Sequence, residues 1–596
     1  MARHDWTASS PGLIRSLRPD GEGLVSWRIC DWHRFSLADV APLGRDPALL
    51  SDLNLWRSLQ SSACPLLEQQ SVPTPPAERF ILLLDQEAGP ARDMLSMLET
   101  VLSQHPGLPV WVLPDEGARR AGLLARTLAR SPHPNVHVLL PGTAAWPWLQ
   151  AASSVCTHSA ERGFTALMAG AALTTWGQPW YAGWGLTEDA LPAPPERGQV
   201  TLPALFEAVA WRGSMYADLA HRGQGCLRDT LEFLAVQKSV RDRFRDLGTI
   251  EAYGMAAWKK AYLRPYLSAG GHPMRWRTRL DACTPAKKVT TALWGATPRP
   301  SACGGAVVRV EDGFLRSAGL GSDLVPPSSL VIDREGIYFN AVHGSELLTR
   351  LSRTQVEPEA RARAAALRRM LVELRVTKYN FAPRPVQWKA PPHRKVVLAI
   401  GQVADDAAMI LGAGRSDDAV TTAEQMLARV RAEQPAAWLV FKPHPDVLSG
   451  NRRGLIAAHE LCDEVDTEAD LLSLFDAVDE VHVVSSLAGF DALIRGKPVV
   501  THGLPFYAGW GLTTDRCEHL LDRPKKLQLD DLIAVTLLDY PIYWDWHWLV
   551  FSTPEAVARH LADCRQNSHL PGPGQLIKRT LNKSRRWLRN ILSGWV

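Results

Sequence analysis

Paired cysteines are missing from this sequence. Nine cysteines are scattered over 596 residues with no CxxC pair and no Cys/His cluster, which argues against a disulfide framework and against zinc sites. No apolar run approaches the roughly 20 residues needed to span a bilayer. The opening "MARHDWTASSPGLIRSLRPDGEG" has no apolar core of the kind a signal peptide carries, so the chain reads as cytoplasmic. An excess of charge is lacking too. A net charge of +4 is small for this length and gives no case for nucleic-acid binding, so any basic function is local. Apolar residues at 46% and charged residues at 21% describe an ordinary globular protein. The length exceeds what one hydrophobic core sustains, so two or more domains are expected. No metal and no cofactor are expected.

What the sequence does have is a copy of itself. "RGFTALMAGAALTTWGQPWYAGWGLT" from Arg162 aligns without a gap on "AGFDALIRGKPVVTHGLPFYAGWGLT" from Ala488, and the seven residues Tyr181 to Thr187 recur unchanged as Tyr507 to Thr513. Such a match marks an internal duplication. Each copy reads as a short helix, a strand and a Gly-rich loop. Upstream, "FILLLDQ" ending at Gln86 matches "VVLAIGQ" ending at Gln402, and "LPVWVLPD" matches "AAWLVFKPHPD". Buried-strand runs alternating with helical segments imply parallel α/β layers. The spacing predicts four parts: a first module over 1–212, a helical connector over 213–280, a second module over 281–565 and a tail over 566–596. The second module has room for two Rossmann-like halves, whereas the first is shorter and lacks the front half.

Four clusters in the second module are candidates for chemistry. "RVEDGFLRSAGLGSD" puts Glu311 and Asp312 directly after a strand and before Gly313, where α/β folds place reactive groups and where a glycine lets a ligand come close. The alternative is a solvated acidic turn. "GQVADDAAM" puts Asp405 and Asp406 after a buried strand, where a carboxylate serves as nucleophile or base, or else as a helix N-cap. "FKPHPDVLSG" supplies Lys442, His444 and Asp446 at a strand end, a pattern suited to anionic oxygens and also to a simple turn. "VVSSLAGFDALIRG" supplies Ser485 and Ser486 at a helix start, an anion site or plain serine caps, with Asp491 one turn on and within reach of a ribose. The repeated YAGWGLT loop suits a wall that stacks on a sugar or base, or a packed corner.

Taken together, "EDGFLRSAGLGSDLVPPSSLVIDREGIYFNA", "KYN" (378–380), "GQVADDA", "KPHPDVLSG", "GFDALIRGKPVV" and "LPFYAGWGLTTD" resemble the bacterial capsular-polysaccharide β-Kdo transferases of the KpsC/LipA type. The resemblance covers the second module nearly end to end and the later part of the first. It implies tandem duplicated GT-B-like modules built from Rossmann-like parallel sheets, with the first module truncated. The implied activity is a retaining glycosyltransferase that moves 3-deoxy-D-manno-oct-2-ulosonic acid (Kdo) from CMP-Kdo onto a lipid-linked Kdo acceptor of phosphatidylglycerol type. The product is the linker of capsular polysaccharide, made beside other capsule biosynthesis and export proteins. Carried onto this sequence, the resemblance makes Asp406 the nucleophile and Glu311 the acid/base, with Asp312 its rival. Lys442, His444, Ser485 and Ser486 would hold the donor phosphate, Asp491 the ribose and Arg316 the Kdo carboxylate. Asp491 stands where the resemblance leads one to expect Glu. In the first copy Pro90 takes the place of Asp406 and Thr165 that of Asp491, the matching "VLPDEG" has no His-Pro, and no EDGF sequence precedes the module, so one active module is expected. The competing readings are a non-catalytic capsule assembly or scaffold protein and a GT-B-fold nucleotide-sugar epimerase.

The end of the chain, "GQLIKRTLNKSRRWLRNILSGWV", combines six basic residues with an apolar stripe at helical spacing. That pattern predicts a basic amphipathic helix on the surface of an anionic membrane, here the inner membrane, with a helix packed on the protein as the alternative.

Overall fold

The computed structural model describes residues 26–28, 35–61, 74–86, 90–114, 122–140, 143–218, 223–277, 289–299, 305–319, 325–341, 343–403, 406–413, 419–444, 458–517, 523 and 525–567. The basic tail and Asp405 lie outside the described residues. The chain divides into two compact units, Met1–Ser239 and Val240–Val596.

In the first unit strand β1 (Ser26–Arg28) is followed by β2 (Ile81–Leu84), β3 (Val110–Leu113), β4 (Val136–Val138), β5 (Ser154–Thr157), β6 (Leu173–Thr175) and β7 (Glu188–Asp189). Strands β2 to β7 form one sheet in the order 4-3-2-5-6-7, parallel throughout. Counted from its first strand this is 3-2-1-4-5-6, the doubly wound dinucleotide-fold order. β2 is buried along its whole length, as expected of a parallel strand covered on both faces. Two further strands, β8 (Ser214–Asp218) and β9 (Gly223–Gly225), make a small antiparallel sheet with β1.

The second unit holds two sheets. Its back sheet uses β15 (Val396–Ile400), β16 (Trp438–Lys442), β17 (Glu464–Val465), β18 (Glu480–Val483), β19 (Val499–Thr501) and β20 (Thr514–Asp515) in the order 17-16-15-18-19-20, again all parallel. It repeats the first unit's sheet strand for strand. The front sheet contains β10 (Thr249–Tyr253), β11 (Met274–Arg277), β12 (Val289–Trp294), β13 (Ala306–Asp312), β14 (Ser329–Asp333), β21 (Ile542–Asp545) and β22 (Val550–Ser552), in the order 11-10-12-13-14-21-22. Strands 10 to 13 are parallel, and 14, 21 and 22 add to them antiparallel. The expectation of two Rossmann-like halves therefore holds in full for the back sheet and over four strands for the front one.

The duplication reaches further than the sequence revealed. After the YAGWGLT loop each copy has a short helix running into a π-helical turn, Glu207–Arg212 and Ala534–Asp539. In each, a buried tyrosine donates to a carbonyl of that turn, Tyr216 to Ala210 at 2.8 Å and Tyr543 to Leu537 at 2.7 Å. Tyr216 pairs with Ser26 of β1, and Tyr543 pairs with Ser329 of β14. The small sheet β1-β8-β9 is thus the counterpart of β14-β21-β22. The first unit is not without a front half; it keeps three strands of it and carries no counterpart of β10 to β13 among the described residues.

The segment 213–280 departs from the expected helical connector. It contains helices Leu227–Phe244 and Ala257–Leu267, but also β8, β9, β10 and β11, of which the last two belong to the front sheet. The strand signal is masked because "TIEAY" buries a carboxylate. Glu251 is 1% exposed and pairs with Arg277 of the edge strand β11 at 2.6 Å.

The core of the second unit joins its two halves through aromatic side chains. Phe314, from the EDGF stretch, lies with its ring 5.0 Å from Tyr338, 5.3 Å from Phe506 and 6.1 Å from Phe490. The turn after β13 is thereby held against the helix Leu487–Ile494 of the back half.

Candidate active site

Strand β13 ends on Glu311 and Asp312, paired with Val331 and Leu330 of β14. Glu311 is partly buried, and its Oε1 accepts from the Asp312 N–H at 3.0 Å. Its Oε2 faces the backbone of Gly295, where a Cβ would stand 3.0 Å away. Gly295 has φ +53°, so both its conformation and this close approach favour glycine. Burial and the adjacent Asp312 carboxylate push the Glu311 pKa up to about 7, against the pull of the Asp312 N–H, Lys378 and Lys259.

Asp312 has a different partner. Its Oδ2 accepts from Arg316 Nε at 2.7 Å, and the Arg316 side chain is 2% exposed. Arg316 also donates to Ser317 Oγ at 2.8 Å. The expectation that Arg316 receives a sugar carboxylate meets a guanidinium already committed inside the protein. Gly313 likewise serves packing: a Cβ there would lie 2.4 Å from Ser329 Oγ of β14, so the glycine admits a strand instead of a ligand.

Two cations flank the carboxylates, and sequence reasoning assigned a role to neither. Lys259, from the helix Ala257–Leu267, has its Nζ 3.2 Å from the centre of the Trp294 ring at the end of β12. Burial pulls its pKa down while Glu311 and Asp312 oppose the shift. Lys378, within the KYN stretch, accepts through its carbonyl from the N–H groups of Arg316 and Ser317. Burial works against its charge, yet Tyr338, Tyr379, Asp312 and Glu311 around it hold its pKa above the lysine range. KYN was a signal in plain sight; Lys259 had none, standing in a stretch read as connector.

Asp491 reaches the same neighbourhood from the helix Leu487–Ile494. The Lys378 N–H donates to it, Arg495 Nη1 lies 3.9 Å from its Oδ1, and burial raises its pKa to about 6 against the pull of Arg495 and Lys378. Asp406 is exposed at the N-cap of the helix Ala407–Gly412 and makes no side-chain capping bond. Phe339 links the two walls: its carbonyl is 3.7 Å from a Cβ placed on Gly412, and its ring 3.9 Å from one placed on Gly295.

The remaining expected donor contacts are largely engaged within the fold. Ser485 Oγ donates to the Ala408 carbonyl at 2.9 Å and accepts from Gln402, whose Oε1 receives the Ser485 N–H at 2.8 Å. The first unit repeats the serine N–H bond, Ser159 donating to Gln86 Oε1 at 3.2 Å, while its hydroxyl donates to that same oxygen at 3.4 Å. Ser486 Oγ caps its helix by accepting from Ala488 N at 3.2 Å. Lys442 donates to the Ala469 carbonyl at 2.6 Å and lies 3.6 Å from Asp466. His444 is partly buried just past the end of β16.

The repeated loop makes identical bonds in both copies. Tyr181 donates to Ala160 O and Tyr507 to Ser486 O, both at 2.5 Å. Trp184 and Trp510 donate to the carbonyls of Trp180 and Phe506, and Asp189 and Asp515 each receive the N–H of the loop's first glycine at 2.8 Å. All four ring side chains are 0% exposed. The loop is a packed corner, not a wall for a ligand.

The family described as "Capsule polysaccharide biosynthesis protein" matches residues 87–213 and 362–543, one stretch in each unit. The capsule polysaccharide modification protein LipA of Neisseria meningitidis is 34% identical over 514 residues, which is 80% of this chain and 70% of that protein. The lipopolysaccharide-processing protein LpsZ of Rhizobium meliloti is 40% identical over 241 residues, 39% of this chain and 54% of that protein. Among solved structures, the β-Kdo 2,7 and β-Kdo 2,4 transferases of Thermosulfurimonas dismutans KpsC are 30% and 29% identical over 53% of this chain and 99% and 98% of theirs, with TM-scores of 0.44 and 0.47.

Proposed function

The chain belongs to the capsule polysaccharide biosynthesis family, and from that premise we propose that its second unit is a retaining glycosyltransferase that moves Kdo from CMP-Kdo to a lipid-linked Kdo acceptor. The observation that carries the reading is the pair of unequal carboxylates at the end of β13. Asp312 is bound to Arg316, while Glu311 is left with a pKa near neutrality, suited to taking and returning a proton. In the proposed sequence the Asp406 carboxylate attacks the anomeric carbon and the C–O bond to CMP breaks, CMP leaving with the bonding pair. The acceptor hydroxyl then attacks the same carbon from the opposite side. Glu311 takes its proton, and the bond to Asp406 breaks. Two inversions give net retention.

Exposure of Asp406 at a helix start supports its role, since a nucleophile held in a capping bond is not free to attack. In this reading His444 contacts the donor phosphate at the strand end, with Lys442, Ser485 and Ser486 beside it. Asp491 and Lys378 line the ribose side. The basic tail and the lipid anchor of the acceptor support work at a membrane surface; among the described residues no helix is long and apolar enough to cross one.

The test is the purified protein with CMP-Kdo and a synthetic mono- or di-Kdo lipid, read by mass spectrometry. Addition of one Kdo mass with retained configuration is expected. Release of CMP without transfer, or no reaction with either acceptor, overturns the reading.

A further inference from the structure

A recess lies in the second unit, beside the helix that presents Asp406. It measures about 370 Å³ and is lined by Glu335, His343, Thr349 and Arg353 of the chain after β14, together with Leu504 and Arg523 of the back half. The Leu504 N–H donates to the Gly412 carbonyl at 2.6 Å, which fastens this recess to the far end of the helix Ala407–Gly412. The size falls at the lower end of the range of ligand pockets and accommodates a monosaccharide.

Its walls are unusual for a nucleotide site. Among the described residues no Trp, Tyr or Phe lines it, so none of them offers a face to a base. Instead, the described lining presents His343, Arg353 and Arg523 against one carboxylate, Glu335. Glu335 already accepts from Thr349 Oγ1 at 2.5 Å. Arg523 is held with its guanidinium 5.1 Å from the centre of the buried Trp510 ring, and Lys525 donates to the Thr354 carbonyl at 2.7 Å next to the rim. Arg353 is exposed and has no ion-pair partner among the described residues. A positively charged, sugar-sized recess fits a carboxylate-bearing sugar.

We propose that this recess binds the carboxylated sugar of the growing acceptor chain and so sets where the new residue is added, with Arg353 as the carboxylate contact. The proposal rests on the transferase reading, which supplies a carboxylated acceptor. Arg353 touches no reacting atom in it and acts on affinity.

The experiment uses the full chain, CMP-Kdo, and a soluble Kdo disaccharide glycoside with and without its terminal carboxyl reduced to the alcohol. For Arg353→Ala and Arg353→Glu the acceptor KM should rise about tenfold or more, as loss of a charge-assisted hydrogen bond dictates, with donor KM within twofold of wild type. Arg353→Lys should recover part of the loss. The carboxyl-reduced acceptor should bind poorly to wild type and be indifferent to Arg353→Ala. An unchanged acceptor KM in Arg353→Glu overturns the proposal, and a raised donor KM overturns it in favour of a donor subsite. If wild type transfers no Kdo, the transferase reading has failed. The recess is then decided by calorimetric binding of the disaccharide to wild type and Arg353→Glu, where equal affinity rejects it.

Discussion

Replacing Glu311 by glutamine separates the chemistry of this site from its cost. The folded protein holds this carboxyl at about 7 where 4.5 is ordinary, so folding favours the protonated form. A raised folded pKa means that the stability this group contributes is fully present below about 4.5 and is lost as pH climbs through about 7. At face value that loss is about 3 kcal/mol. Glu311 is only partly buried, so solvent screening brings the figure to on the order of 1–2 kcal/mol. Glutamine keeps an oxygen for the Asp312 N–H, now 3.0 Å from Oε1, and carries no charge. Wild type and Glu311→Gln should therefore melt within about a degree of each other at pH 5. At pH 8.5 the variant should melt higher by about 1–3 °C, given the length of this unit. Transfer should fall by roughly a hundredfold or more at every pH, and the rise of wild-type activity through pH 7 should vanish. Scanning calorimetry at the two pH values and a transfer assay across them read both effects. Parallel stability curves for the two proteins would refute a neutral-range carboxyl here, and retained transfer would refute its role as base.

Asp406→Ala should abolish transfer without lowering the melting temperature, because the side chain is exposed and makes no capping bond; activity within a few-fold of wild type would remove it as nucleophile. Asp85→Ala in the first unit should behave the other way. Asp85 is 1% exposed and accepts from the N–H groups of Gln86, Leu124 and Ala125, so its loss should destabilise that unit by about 1–3 kcal/mol while transfer by the folded protein stays within a few-fold. Tyr181→Phe and Tyr507→Phe should each cost about 1 kcal/mol in unfolding experiments, since each removes one of the two donors to a buried carbonyl. A hundredfold loss of transfer by Tyr507→Phe at unchanged stability would return the loop to the ligand site.

Strand positions were legible because parallel strands buried on both faces are written as apolar runs: "ILLL" and "VVLAI" announce β2 and β15. The duplicated loop was legible because its residues are fixed by packing. The front sheet was harder to read where ionic groups interrupt it, as Glu251 does in β10. That Glu311, Asp312 and Asp406 stand at or just after strand ends was legible; their partners were not. Nothing in a sequence says that Arg316 turns back four residues to Asp312, or that Lys259 crosses from a helix to a tryptophan at the end of β12. Ser485 and Ser486 illustrate the limit from the other side. Serines before a helix bind anions or cap backbone groups, and only the bonds made to Gln402, Ala408 and Ala488 decide how the hydroxyls are spent here.

The first unit works as a control supplied by the protein itself. Whatever both copies build in the same way cannot be specific to chemistry proposed for one of them: the bond from a serine N–H to glutamine, the Tyr–carbonyl bond, the aspartate under the glycine loop and the π-helical turn. What differs is concentrated. Pro90 occupies the helix N-cap where the second unit has Asp406, so the helix start survives and its carboxylate does not. Lys259, Trp294, Glu311 and Asp312 all lie on or between β10 and β13, the strands without a counterpart among the described residues of the first unit. The strands that do persist, β1, β8 and β9, are those whose tyrosine seals the π-helical turn, and a back half deprived of them would expose that turn and the paired backbone beside it. Under the proposed function, the want of a counterpart to β10–β13 among its described residues leaves the first unit a folded partner without an acid/base.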